Sequence, residues 1–184
     1  DDRTGAGHAG GEGDTGVRQV DGQGLTRRDG REDAGDIDVR VIDSRSLTGG
    51  LGTMVLEAAA AARNGADVDA VVALVGSMIP RTEIYGGLDT LENLKKGGRI
   101  GSAKALLGSM LSVKPIIHIA DGAVEEAGKQ RTRKRALEWM RDQLFAEGPV
   151  EKLSILHGQA PDIDVFLDMI SERYPREQIR LGTI

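Results

Sequence analysis

Four groups of residues have types and spacing that suggest chemistry. The run Gly49-Gly50-Leu51-Gly52 sits between a predicted strand and a predicted helix, where free amides could receive a phosphate or carboxylate. Arg45 is the one cation nearby in sequence. The run lacks both the dinucleotide spacing and the Lys-Ser/Thr of a P-loop, so tight packing accounts for it better. His157 closes a predicted strand just before Gly158, the position at which open sheets face their ligands, although an ordinary loop histidine explains it too. Lys129, Arg131, Arg133, Lys134 and Arg135 place five cations within seven residues at a helix start. The helix dipole disfavours them there, by roughly a few tenths of a kcal/mol each. They read either as a solvated face or as a docking point for an acidic partner. Asp43-Ser44 resembles a catalytic pair, but no Gly-x-Ser-x-Gly elbow surrounds it. The histidines (His8, His118, His157) are too scattered for a metal centre. The expectation is a binding protein without catalytic residues, metal or cofactor.

The chain of 184 residues suits one domain with a real core. Its net charge is −5. Residues 1–36 supply −4 of that, from five Arg against nine Asp and Glu, so the remainder is nearly neutral. With few aromatics as well, nucleic acid is not an expected partner. Residues 1–36 also hold ten glycines and three large aliphatics (Val17, Val20, Leu25), too little to offset the entropy of ordering. They are expected to be a disordered or non-native leader, with the folded domain over 37–184. There is no cysteine and no apolar run long enough to span a bilayer. A cytoplasmic location is the default expectation.

The elements that must position the candidate residues follow from periodicity. Ile37-Asp-Val-Arg-Val-Ile-Asp alternates as a strand. A helix after the glycine run carries Met54, Val55, Ala58, Ala59 and Ala62 inward and stops at Gly65. Asp67 caps a second helix with Val68, Val71, Val72, Val75 and Ile79 in one stripe. Glu83–Tyr85 is a short strand candidate. The stretch Leu88–Gly122 is the most constrained: a short helix ending in Lys95-Lys96-Gly97-Gly98, then a helix capped by Ser102, a buried strand Val113–Ile119 and an Asp121-Gly122 hairpin. It is expected to wall an apolar pocket, with Leu106, Ile116 and Ile117 among the lining residues. The longest helix is expected over 131–145, a strand over 153–157, a helix over 162–171 and a last strand from Gln178. The class is α/β, with a mixed sheet packed by helices. An unpaired strand edge offers a route to homo-oligomers.

The motifs VIDSRSLTGGLG, LDTLENLKKGGRI, LLGSMLSVKPII, the Ala-Asp-Gly turn and K-x-R-T-R-K-R-A occur in the order that resembles DegV family proteins. The resemblance covers about 37–184. It implies a two-domain α/β fatty-acid-binding protein, the acyl-carrying subunit that presents a carboxylate to the catalytic subunit of fatty acid kinase. The ligand implied is a long-chain fatty acid, and Arg131 resembles the cationic residue that meets the kinase. The Ser/Thr motifs of the family's N-terminal head-group domain are not found before Ile37, nor is the His-x-Gly-Pro-Gly segment after the last strand. The resemblance therefore implies mainly the acyl-pocket portion.

Overall fold

A computed structural model describes residues 38–184, except the side chains of 107–112. The leader expected over 1–36, and Ile37, lie outside the described residues. Residues 38–43 belong to a unit, Asp1–Asp43, distinct from Ser44–Ile184. They were expected to be a strand and are not one: Asp38 and Arg40 instead pair with each other at 2.8 Å. Alternation by itself supplies an apolar face but does not make a strand.

In Ser44–Ile184 the elements are α1 (Thr48–Arg63), α2 (Val68–Met78), β1 (Tyr85–Gly87), α3 (Glu92–Lys96), β2 (Lys114–Ala120), β3 (Ala123–Gln130), α4 (Arg133–Ala146), β4 (Leu153–His157), α5 (Ile163–Ile170) and β5 (Ile179–Thr183). The α/β class holds, with the two strand senses segregated into separate sheets. Strands β1-β2-β3 form an antiparallel sheet, and β4 pairs parallel with β5 through the α5 crossover.

Local signals explain several joins. Asp67 caps α2 by accepting from the Ala70 amide at 2.8 Å. Asp121 (φ 49°) and Gly122 (φ 78°) both take left-handed conformations, the type I′ turn that suits a tight hairpin. Thr132, one residue inside the predicted start, caps α4 through the Arg135 amide.

Other expectations give way to tertiary contacts. The glycine run is no loop, because α1 begins at Thr48 and Gly49–Gly52 fill its first turns. This makes α1, at 16 residues, longer than α4 at 14. Of its expected inward face Met54 is buried, while Val55, Ala59 and Ala62 are exposed. Helix α2 buries none of its valines. Strand β1 starts at Tyr85, with Ile84 O still accepting from the Ile119 amide at 3.0 Å. Ser102 caps no helix: it lies within a 3₁₀ segment, Gly101–Ser112, and its Oγ accepts from the Glu126 amide of β3.

Strand β2 divides the antiparallel half. Ile117 and Ile119 face Leu91, Ala103, Leu106 and Val124 in one buried cluster. Ile116 pairs with Gly87 and Gly128 and shares their face, which α4 covers through Met140 and Trp139. A bulge leaves Ala127 of β3 without a partner in the ladder. The second cluster joins Leu167, Ile170, Tyr174 and Ile179 to Leu144 and Phe145 of α4 and to Leu153 and Ile155 of β4.

Candidate functional site

Packing places the predicted residues in several distinct settings. Gly49 lets α1 approach β4: an added Cβ would lie 3.3 Å from Ser154 Cβ. At Gly50 it would meet Ser46 Oγ at 2.3 Å and Ile84 Cδ1 at 2.8 Å, whereas at Gly52 it would meet nothing. Thr53 continues this seam, with its Oγ1 donating to Gly49 O at 2.8 Å and standing 3.0 Å from Ser154 Oγ. Arg45 is 2.9 Å from Asp121 across the β2–β3 turn, so the cation a phosphate cradle would draw upon already has a carboxylate.

Leu106 and Ile117 meet in the buried aliphatic cluster, at 1% and 9% exposure. Ile116, fully buried, lies across β2 from them. His157 is half-buried at the end of β4. Its Nδ1 accepts from the Ala160 amide at 3.3 Å, which assigns the proton of the neutral ring to Nε2.

The cations divide between two roles. Lys129 and Arg131 are exposed beside Lys114, at the end of the sheet where β2 begins and β3 finishes. Arg133 instead turns inward onto Asp162, making Nε–Oδ2 and Nη2–Oδ1 contacts of 2.8 and 3.0 Å. This bidentate pair joins the starts of α4 and α5, and places a carboxylate where Arg133 would otherwise oppose the helix dipole. Hydrogen bonding to Arg133 holds the Asp162 carboxyl below its ordinary range, against the opposing effect of burial. Asp89 is lowered likewise, first by its hydrogen bond from Lys114.

A depressed folded value means that the stabilisation is complete above the ordinary carboxylate pKa, near about 4, and is lost as pH falls through the lower folded value. Stability should therefore decline on acidification below about pH 4. Asp162→Asn should flatten that decline and cost about 1–2 kcal/mol at neutral pH, as measured by urea unfolding across pH.

Sequence reasoning missed a cluster beneath α4. His118 Nε2 lies 2.5 Å from Glu83 Oε2, Tyr85 stacks on His118 at 4.8 Å, and Trp139 meets Tyr85 edge-on at 5.8 Å. Burial, then Glu83 and Glu147, raise the Tyr85 pKa. The Tyr85–His118 juxtaposition follows from the β1–β2 register, and thirty-two intervening residues hide it from any local pattern. An open hollow at α3 is lined by Glu92, Lys95 and Lys96. Among the described residues no cluster of His, Asp or Glu could hold a metal ion, and no helix is long and apolar enough to cross a membrane.

Together these features define an α/β protein in which three of the seven predicted ligand residues, Leu106, Ile116 and Ile117, are buried aliphatics, with exposed cations at one sheet end. The chain belongs to the DegV family: the family model, described as an uncharacterised protein of that family, matches residues 27–184. A DegV domain-containing protein of Clostridium perfringens is 47% identical over 103 residues, covering 56% of this chain and 36% of the relative. One from Streptomyces coelicolor is 36% identical over 143 residues, covering 76% of this chain and 50% of the relative. Among solved structures, a fatty-acid-binding DegV family protein from Thermus thermophilus superposes with a TM-score of 0.70 at 29% identity. That match covers 83% of this chain and 56% of the Thermus protein. The chain thus spans about half the length, or less, of these relatives.

Proposed function

We propose that this chain holds the acyl tail of a long-chain fatty acid, as the tail-binding portion of a DegV-type carrier, and performs no bond-making itself. The observation that carries the reading is the wholly aliphatic buried cluster of Leu91, Ala103, Leu106, Ile117, Ile119 and Val124, in a chain of a family whose Thermus member binds fatty acid. Burying each CH₂ contributes about 0.8 kcal/mol, so a long tail binds firmly among such side chains without a charged anchor. Leu106 and Ile117 line the tail site in this reading, and Ile116 backs it across β2. Gly49 and Gly50 set the close approaches of α1, Gly52 lies free of them, and His157 stands at the end of β4. Domain 37–184 is the tail-binding unit, and the cytoplasm is its setting. The carboxylate end is presented to a fatty acid kinase partner that docks on Lys129 and Arg131, with Arg133 fixing the helix start behind them.

Mass spectrometry of the purified chain after denaturation tests this. Release of a long-chain fatty acid near one per chain is the expected result. Protein that carries no acid, and takes up none from oleate-loaded vesicles, would overturn the reading.

A further inference from the structure

The attachment of β1 to its sheet converges on one titratable side chain. Strand β1 is Tyr85-Gly86-Gly87, so two of its three residues bring no side chain to the contact. On the α4 face the grip falls to Tyr85, stacked on His118 with ring planes 19° apart. It is shared by Glu83, just ahead of the strand, whose Oε2 lies 2.5 Å from His118 Nε2. Ile84, between the two, packs against the buried aliphatic cluster, and its carbonyl accepts from the Ile119 amide at 3.0 Å. The far end of β1 is held separately, because the Leu88 amide donates to Pro115 O at 2.9 Å. Loosening at His118 therefore frees the near end alone, and with it Ile84 from the cluster.

Both contacts on His118 are stronger with a charged ring. An imidazolium forms an ion pair with Glu83, and its charge is attracted to the face of the Tyr85 ring. The surroundings act in the same sense. Glu125 of β3 is the ladder partner of His118, and from α4 Trp139 meets Tyr85 edge-on while Glu147 acts on the phenol electrostatically. Arg81, two residues before Glu83, is engaged by Glu151, and Arg45, at the hairpin end of the sheet, by Asp121. We propose that His118 is a proton-dependent latch: charged, it clamps Glu83 and Tyr85 and keeps Ile84 seated on the aliphatic cluster, and neutral, it lets this flap open. Histidine gives up its proton between about pH 5 and 8, so the latch is tight on the acidic side of that range and loosens as pH rises through it. Its link to acyl retention rests on the fatty-acid reading above, and the latch itself does not.

Hydrogen exchange of the Ile119 amide in the full chain, corrected for the intrinsic pH dependence of exchange, tests the latch. Protection should fall about tenfold between about pH 6 and about pH 8. His118→Gln can still hydrogen-bond but cannot titrate, and should show no such fall. Glu83→Gln removes the charged partner and should show a much smaller one. Equal wild-type protection at both pH values, or a fall that persists in His118→Gln, would overturn the latch. Transfer of oleate from loaded chain to empty phosphatidylcholine vesicles tests the link to the tail. Release should be several-fold faster at the higher pH in the wild type, and that acceleration should be absent from His118→Gln. An acceleration identical in both would overturn the link. A chain that takes up no oleate would overturn the fatty-acid reading alone, with the exchange result still deciding the latch.

Discussion

Gly101→Ala is expected to lower the stability of the folded chain by about 3 kcal/mol or more, read as a fall in the urea midpoint. Two separate effects combine at this position. Gly101 has φ 53°, where a side chain is strained, and an added Cβ would fall 1.9 Å from Val124 O. That neighbour is backbone in β3 and cannot rotate aside, so either the strand or the start of the 3₁₀ segment must shift. Gly65 provides the comparison. Its φ is 90°, yet an added Cβ there meets nothing within 4 Å. Gly65→Ala should therefore cost only the conformational share, about 1 kcal/mol. Equal losses at the two positions would mean that the contact with β3 contributes nothing.

Leu106→Ala should cost about 2–5 kcal/mol, with the denaturant slope unchanged. Leu106 is 1% exposed among Leu91, Ala103, Ile117, Ile119 and Val124, and several of these neighbours belong to strands that cannot collapse into the space. Val55→Ala removes aliphatic atoms from a residue that is 56% exposed, and should stay within about 0.5 kcal/mol for the monomer. A Leu106 variant as stable as wild type would show that the cluster is loosely packed.

What the sequence discloses depends on how far apart the deciding contacts lie. Asp67 capping α2, Asp121-Gly122 turning the hairpin, and Ile163, Phe166, Leu167 and Ile170 sharing one face of α5 are settled within a few residues, and each was legible. The glycine run resembled a loop because its packing partner, Ser154, lies about a hundred residues on. Ser102 resembled a cap, but the Glu126 amide it serves belongs to β3. Arg133 was indistinguishable from its four cationic neighbours until α5 brought Asp162 beside it. The alanines of α1 were expected to face inward, but the side that approaches β4 carries Gly49 and Thr53, and Ala59 and Ala62 are exposed. In the candidate site, Leu106, Ile116 and Ile117 were read as one lining, of which Leu106 and Ile117 meet in one cluster. That β2 would set Ile116 on its other face follows from the strand period, once the pairing is fixed.

Helix α4 lays Met140 and Trp139 on the three-stranded sheet, and lends Leu144 and Phe145 to the cluster around β4 and β5. One rod thus serves as a common rafter for both halves. Neither sheet keeps its roof when that rafter lifts, so the halves must melt together, and a partly opened form would expose hydrocarbon-loving surface from both at once.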